Sequence, residues 1–486
     1  MINIPKEVTS IVEKLEKHGF EAYVVGGCVR DLLLRREPED WDIATSAKPE
    51  EIQKVFPHSF YENKFFTVTV LTESEDPKLK EVEITTYRAE FQYTDRRRPE
   101  EVQYAKTIEE DLSRRDFTVN AIALRHQGNV YEVIDPYDGQ NDLKKKLIRA
   151  VGKPQERFNE DALRMMRAAR LATTLGFEIE QETKVAMQDN ASLLEEISKE
   201  RIRDELVKII MADRATEGIE LLRELKLLPY IIPELQEGYG VGQNKHHIYT
   251  VWEHNLLSLQ YAVKQKWSLQ VRLASLLHDV AKPRVKKGEG KDSTFYNHET
   301  VGAKMASQIL ARLKFSRKQV EKISTLVRFH LFYYNVDEVS ESSIRRLLRK
   351  VGPEDIEDLL KVRMADRIGS GVPKAEPYKL RHLRYMIEKV SRDPISAKML
   401  KVNGNDIMEI LQIAAGPTIG HILDILLAEV LDDPKRNEKQ YLEEKIKELG
   451  KMSDENLRSL AQKSQREVEK VEIKSDEMVK QRYWVT

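Results

Sequence analysis

The sequence predicts a multidomain chain with an α/β head followed by an all-α body. Three observations carry that reading. A chain of 486 residues is longer than one ordinary core organises. Up to about residue 150, short β-rich runs alternate with helical patterns. Beyond that point the apolar period settles near roughly 3.6, and β-branched alternation fades.

In the head, Ala22-Tyr23-Val24-Val25, Thr67-Val68-Thr69-Val70-Leu71 and Val82-Glu83-Ile84-Thr85 read as strands. Val29 to Leu34 and Pro49 to Val55 read as helices. Gly238-Tyr239-Gly240-Val241-Gly242 interrupts the later helical pattern and marks a boundary. Lys286-Lys287-Gly288-Glu289-Gly290-Lys291 reads as an exposed loop within the next helical block. Asp433-Pro434 reads as a helix N-cap with proline in the first turn. The expected division is a head over 1–150, a neck over 151–238, a histidine-rich domain over 239–370 and a charged helical tail over 371–486. There is no internal repeat.

Composition narrows the function classes. Charged residues make up 33% and apolar ones 41%, which suits soluble helical domains. No apolar run approaches bilayer length, and Met1-Ile2-Asn3-Ile4-Pro5-Lys6 lacks a signal-peptide core. The single cysteine, Cys28, offers no disulfide framework. A cytoplasmic chain without a membrane partner is the expectation; oligomeric state stays open. The net charge of −1 is neutral on nucleic acid, because an average hides local paths. Arg96-Arg97-Arg98, Lys144-Lys145-Lys146 and Arg164/Arg167/Arg170 are candidate pieces of a basic path, and solvated surface is an equally good reading of any one of them.

Chemistry enters at Gly26-Gly27, which follows a strand and opens a helix, where backbone N–H groups favour phosphate. Asp40-Trp41-Asp42 follows, with two carboxylates at i and i+2 that would point the same way on a strand. Glu83 sits centrally in a later strand. Three hard oxygen ligands beside a glycine turn suit two Mg²⁺ ions, which would activate a 3′-hydroxyl and steady a triphosphate.

Gly26-Gly27-Cys28-Val29-Arg30-Asp31 and Asp40-Trp41-Asp42-Ile43-Ala44-Thr45 resemble the class II tRNA nucleotidyltransferase and bacterial poly(A) polymerase family. Arg114-Arg115-Asp116-Phe117-Thr118-Val119-Asn120-Ala121-Ile122-Ala123 looks like that family's ribose-recognition segment. Asp135-Pro136-Tyr137-Asp138-Gly139 followed by Leu143 looks like its flexible joint, and Glu160-Asp161-Ala162-Leu163-Arg164-Met165-Met166-Arg167-Ala168 is similar to its base-reading segment. The resemblance implies a polymerase-β-like head, a mixed sheet with helices, holding Mg²⁺ on Asp40, Asp42 and Glu83. It implies nucleotide contacts from Gly26, Gly27, Arg30, Arg115, Asp116, Asn120, Asp161, Arg164, Arg167 and Arg170. The implied activity is template-independent addition of CCA to tRNA from CTP and ATP.

The residues allow this physically. On a helix, Asp161 and Arg164 at i and i+3 would address one base with an acceptor and a fork of donors. Asp116 and Asn120, one helical turn apart, would hydrogen-bond a 2′-hydroxyl; Asp116 equally suits a helix N-terminus. The stretch from Tyr87-Arg88-Ala89 through Tyr93-Thr94-Asp95-Arg96-Arg97-Arg98-Pro99 supplies the loop that CC-only enzymes of the family lack. Full CCA addition and A-only addition or poly(A) synthesis both remain open. A rival of another class is a hydrolase whose head merely binds RNA.

That hydrolase reading comes from His254, His278-Asp279, His298, His330 and Asp366, with Lys282 after the His-Asp pair. Their order resembles the HD metal-dependent phosphohydrolase superfamily in its binuclear form. The resemblance implies one metal on His254, His278, Asp279 and Asp366, with Asp279 bridging to a second on His298 and His330. Mixed imidazole and carboxylate ligands suit Mn, Fe, Co, Ni or Zn, and metal-bound water would attack a phosphomonoester or 2′,3′-cyclic phosphate. His126, His246 and His247 read as ordinary core or surface histidines. Arg201-Ile202-Arg203-Asp204-Glu205-Leu206 resembles the neck helix that buttresses base reading. Lys401-Val402-Asn403-Gly404-Asn405-Asp406-Ile407-Met408 through Gly416-Pro417-Thr418-Ile419-Gly420 looks like a tRNA-gripping tail.

Overall fold

The structure, a computed structural model, describes residues 3–62, 67–88, 104–128, 130–244, 248–336, 338–391 and 397–485. Four apolar and aromatic residues in a row make β1 (Ala22–Val25), buried on both faces as a central strand must be. With β2 (Asp42–Thr45), β3 (Ser59–Glu62), β4 (Thr67–Leu71), β5 (Glu81–Thr86), β6 (Ala123–Gln127) and β7 (Val130–Ile134) it forms a seven-stranded sheet in the order β3-β4-β5-β2-β1-β6-β7. The β2–β5 pair is parallel and sets Asp42 opposite Glu83. The remaining pairs are antiparallel, so the sheet is mixed.

Alternation along β5 buries Val82, Ile84 and Thr86 and turns Glu81, Glu83 and Thr85 the other way. Helix Lys6–Lys17 buries Val8, Ile11, Val12 and Leu15, at helical spacing, beneath the sheet. A second cluster joins Tyr23, Val25 and Ala44 to Ile108, Leu112 and Ala121. Helix Pro49–Val55 spans the expected residues, and the other expected helix runs Gly27–Leu33. One small sheet had no legible sequence signal: Leu147–Ile148 pairs in parallel with Glu178–Ile179, each too short to show a period.

Beyond Pro154 the described residues are mainly helical, through Leu163–Leu175, Lys199–Met211, Val251–Lys264, Leu269–Leu277, His298–Arg312 and Arg317–Phe329. The expected loop at 286–291 is closed by a bridge from Lys287 to Thr294. The chain divides into two units: Met1–Leu331 with Lys361–Pro373, and Phe332–Leu360 with Lys374–Thr486. The second has its own core, in which Ile407, Ile422, Leu426, Leu442, Ile446 and Leu457 meet. There Asp433 caps only a short 3₁₀ turn, Pro434–Arg436, its carboxylate accepting from the Lys435 N–H at 3.1 Å. Among the described residues no helix is long and apolar enough to cross a membrane.

Candidate functional site

All thirteen head and neck residues singled out by sequence line one cavity of about 590 Å³. Its floor is Asp42 on β2 with Glu83 beside it on β5. Asp40 lies in a bend ahead of β2, not on the strand: the strand begins only at Asp42, so the expected i, i+2 strand geometry is replaced by a bend that still keeps Asp40 on the cavity wall. Gly26 has φ 80 and ψ −137, a backbone region essentially reserved for glycine. A Cβ there would stand 3.0 Å from Arg115 Nη1 and 3.2 Å from Asp42 Oδ2, so glycine lets the turn approach the carboxylate floor.

Burial first, then the negative charge of Asp40 with that of Glu83, pushes Asp42 up to about 7 against the pull of Arg115. Three crowded carboxylates at the bottom of a cavity are what a divalent cation relieves, and the oxygen-only donor set fits a hard ion. The same cavity is lined by many cations: Arg30, Arg88, Arg114, Arg115, Arg164, Arg167, Arg170, Arg201 and Lys208. Carboxylates that can hold a cation and guanidiniums in one cavity suit a polyphosphate.

The guanidiniums are held in a hydrogen-bonded relay. Arg167 Nε donates to Asp116 Oδ2 at 2.7 Å, Asn120 Nδ2 donates to Asp116 Oδ1 at 3.2 Å, and Arg30 Nη1 donates to Asn120 Oδ1 at 2.8 Å. Burial works against the Asp116 charge, but Arg167 holds its carboxyl down at about 2. Asp116 and Asn120 are not on one α-helix as expected; Asp116 precedes a 3₁₀ turn, Thr118–Asn120, and the tight turn brings the two side chains together.

Asp161 and Arg164 depart further from expectation. Asp161 is extended (φ −146), between helices Pro154–Glu160 and Leu163–Leu175. Its carboxylate accepts from the Leu163 N–H at 3.0 Å and from Arg201 Nη2 at 2.6 Å. Arg164 instead donates to Glu160 at 2.9 Å and to the Arg114 carbonyl at 3.1 Å. The pair shares the cavity without touching, because helix-start chemistry claims the aspartate. Arg170 likewise is held at 2.6 Å by Glu205 of the neck helix.

Asp111 was missed, although it stands three and four residues ahead of Arg114 and Arg115. It is 1% exposed, and takes Arg114 Nη2 and Arg115 Nη2 at 3.0 Å each and the Arg88 N–H at 3.2 Å. Arg96-Arg97-Arg98 and most of the loop that carries them lie outside the described residues, as do His246 and His247. His126 packs against Tyr131, with ring centroids 5.3 Å apart, away from both sites.

The second constellation is buried in the same unit. Asp279 Oδ2 stands 3.1 Å from His254 Nε2 and 3.3 Å from His278 Nε2, while its Oδ1 faces His298 Nε2 at 3.4 Å and His330 Nε2 at 3.8 Å. Asp366 Oδ1 reaches His254 and His278 at 3.4 and 3.7 Å. Each carboxylate oxygen of Asp279 thus addresses a different pair of imidazoles. The outer ring nitrogens of His278, His298 and His330 sit on the carbonyls of Ser275, Phe295 and Val327 at 2.8, 2.6 and 2.7 Å. That leaves Nε2 of each turned inward, the nitrogen a metal would meet once any proton on it has left.

Two carboxylate–imidazole triplets, His254/His278/Asp366 and His278/Asp279/His330, have ligand atoms within 4.8 Å of one another. Burial disfavours charge on His278, yet Asp279 and Asp366 hold it protonated up to about 10; burial and the His278 charge push His330 down to about 3. Lys282 Nζ also stands 2.6 Å from Asp279 Oδ2, and the N/O donor set of the cluster fits divalent transition metals. Sequence reasoning missed two supports: Gln243 takes Lys282 Nζ at 2.7 Å, and Arg363 Nη1 grips Asp366 Oδ2 at 2.6 Å.

Residues 22–149 match the poly A polymerase head domain, 176–238 the probable RNA and SrmB-binding site of polymerase A, and 251–370 the HD domain. A CCA-adding enzyme of Anoxybacillus flavithermus is 31% identical over 440 residues, covering 90% of this chain and 96% of that one. The chain belongs to the CCA-adding enzyme family. Its match to the CCA-adding enzyme of Lactococcus lactis subsp. cremoris is 48% identical over 227 residues, 47% of this chain, and spans only about half, 55%, of that relative. Among solved structures, the Bacillus stearothermophilus CCA-adding enzyme in complex with CTP aligns at 28% identity and TM-score 0.56, covering 91% and 96% of the two chains. The Thermotoga maritima CCA-adding enzyme complexed with tRNA shares the fold at 21% identity and TM-score 0.53. The family is therefore class II with an HD domain, and both its domain types imply divalent metals.

Proposed function

We propose that the protein adds CCA to the 3′ end of tRNA from CTP and ATP; CCA addition is what its relatives' names say of them. The observation that carries this is the cavity that Asp42 and Glu83, paired on parallel strands, line together with eight arginines. Mg²⁺ bound by Asp40, Asp42 and Glu83 would lower the pKa of the primer's 3′-hydroxyl and neutralise the triphosphate. Asp40 and Asp42 hold the cation side of the cavity, and Arg30 and Arg115 take phosphate oxygens above it. Asp116 and Asn120 orient the ribose through the relay that ends on Arg30. Asp161 and Arg164 present an acceptor and donors to the base edge, Arg201 fixing the first and Glu160 the second, with Arg167 and Arg170 behind them. In this division of labour the head is 1–150, the neck 151–238, the HD domain 239–370 and the tRNA-binding tail 371–486.

The test uses tRNA transcripts ending at the discriminator base, after C and after CC, each with Mg²⁺ and CTP, ATP or both. Growth of the first transcript to CCA and no further is expected. Extension of the CC-ended transcript alone would replace this reading with A-only addition, and an unlimited A tail with poly(A) synthesis.

The split of Asp279 between two imidazole pairs favours a second activity, hydrolysis of a phosphomonoester or 2′,3′-cyclic phosphate. A transition metal such as Mn, Co, Ni, Fe or Zn would supply an activated water there. Opening of a 2′,3′-cyclic phosphate end to a phosphomonoester, or release of phosphate from a phosphomonoester end, absent in Asp279→Asn, would support it; equal hydrolysis by that variant would remove it.

A further inference from the structure

Helix Tyr378–Ser391 and the end of helix Asp454–Arg482 border a cavity of about 420 Å³ in the second unit, lined by Glu376, Arg381, Arg384, Arg482, Tyr483 and Trp484. Nothing in the head or the HD cluster uses it. Trp484 is 79% exposed, whereas Trp41 and Trp252 are 4% and 3% exposed. The backbone that carries the exposed indole is nonetheless fixed in place. Its backbone has φ 55, a left-handed conformation that a residue with a bulky side chain keeps only where its surroundings impose it. The Trp484 N–H donates to the Gln481 carbonyl at 3.1 Å and the Val485 N–H to Lys480 at 3.0 Å. Val485, 7% exposed, is anchored in a cluster with Tyr385 and Val479. The Trp484 carbonyl accepts from Arg381 Nη1 at 3.3 Å, which ties the indole's backbone to the guanidinium in the cavity wall.

The charges are unequally spent. Arg384 is shared by Glu376, at 2.6 Å, and Glu357, and Arg482 lies 2.9 Å from Glu388. Among the described residues no carboxylate is recorded against Arg381, whose neighbours are the Trp484 carbonyl and the Tyr378 ring at 5.9 Å. One guanidinium is therefore available to one anion, and Glu376 in the wall disfavours a second. A triphosphate is a poor match; a single phosphodiester beside an open aromatic face is a good one. Arginine and tryptophan set side by side form the arrangement that holds single-stranded nucleic acid, a cation for the backbone and a ring for the base.

We propose that this cavity is a subsite for one unpaired nucleotide of RNA, its base stacked on Trp484 and its phosphate on Arg381. The inference rests on the reading that the protein's substrate is RNA. Intrinsic fluorescence of the full chain tests it, because Trp484 is the exposed member of the four tryptophans and Trp267 packs against Tyr261 at 5.4 Å. Titration with octa-adenylate RNA should quench the emission, 5′-AMP should do so more weakly, and Trp484→Phe should abolish the quench. Arg381→Gln should weaken RNA affinity about tenfold, the loss of one charge-assisted contact. Trp484→Ala, at a position too exposed to unfold the chain, should weaken binding of fluorescein-labelled octa-adenylate, read by anisotropy. A quench that survives Trp484→Phe, or RNA binding unchanged in both Trp484→Ala and Arg381→Gln, overturns the subsite. AMP binding as tightly as the octamer would make it a free-nucleotide site and overturn the RNA assignment. An enzyme that extends tRNA with unmoved fluorescence loses the subsite alone; a quench without any tRNA extension loses the proposed function alone.

Discussion

Asp116 is where the neck, the ribose segment and the glycine-turn helix are joined by single side chains, so its charge has a measurable weight. Its carboxyl is held at about 2 by Arg167 against the cost of burial. A carboxyl depressed in the folded state contributes stability above its unfolded pKa of about 4, and that stability is lost as pH falls towards about 2. The gap corresponds to about 2 kcal/mol. Asp116→Asn should therefore unfold at lower urea than wild type at pH 7, and the difference should shrink as pH falls below about 4. A difference that stays constant to pH 3 would show that the Asp116 charge does not carry it. Arg201 permits a second test. It holds Asp161, while Arg164 is held separately by Glu160. Arg201→Ala should leave folding intact and blur CTP against ATP incorporation by roughly tenfold, since one freed side chain costs on the order of 1.4 kcal/mol of discrimination. Unchanged nucleotide choice would separate Arg201 from base reading. Residue types at these positions were legible in sequence, and their partners were not. An i, i+3 spacing presumes a helix, and Asp161 stops being helical because it caps the next one.

The same limit recurs for whole elements. Strands with four or more alternating or apolar residues, such as β1, β4 and β5, announce themselves, whereas Leu147–Ile148 and the 3₁₀ turn Thr118–Asn120 are set by what they pack on. Helix Gly139–Lys145 shows how close that packing is. A Cβ on Gly139 would lie 2.2 Å from the Thr118 carbonyl oxygen, a distance no rotamer change relieves. The Asp135 carboxylate meanwhile accepts from the Gly139 and Gln140 N–H groups at 2.7 and 2.8 Å, pinning the start of the helix. The segment that resembles a flexible joint is thus wedged beneath the ribose turn. Gly139→Ala should push that turn, and Asn120 with it, out of register. Expected are a loss of about 2 kcal/mol in stability, the usual cost of overpacking, and weaker rejection of dCTP relative to CTP. A variant with wild-type melting and wild-type ribose selectivity would uncouple the joint from the turn.

Across the molecule, two acid-centred sites lie in one unit while the second unit has a core of its own. Sequence order singled out the candidate residues that the structure brings together in both clusters, because the two resemblances are ordered motifs. It did not show that Asp366 returns to the first unit on a short segment, Lys361–Pro373, after the chain has already passed into the second. That excursion makes the HD centre a tie between distant stretches, joining His254, His278 and Asp279 to a residue on the returning helix. A metal bound there binds only the assembled unit, so mass action stabilises that unit alone, by about 2.7 kcal/mol at a metal concentration about a hundredfold above Kd. Calorimetry of the full chain should then show two transitions. Mn²⁺ or Ni²⁺ should raise one of them by several degrees and leave the other, and chelation should reverse the shift. In Asp279→Asn the metal should move neither by that amount, since the carboxylate that faces both imidazole pairs is gone. Asp42→Asn should retain the shift while losing nucleotide addition, because its carboxylate belongs to the other site. If Mn²⁺ raised both transitions equally, or raised one of them as strongly in Asp279→Asn, the stabilisation would come from elsewhere in the chain and the six-ligand cluster would not be its source.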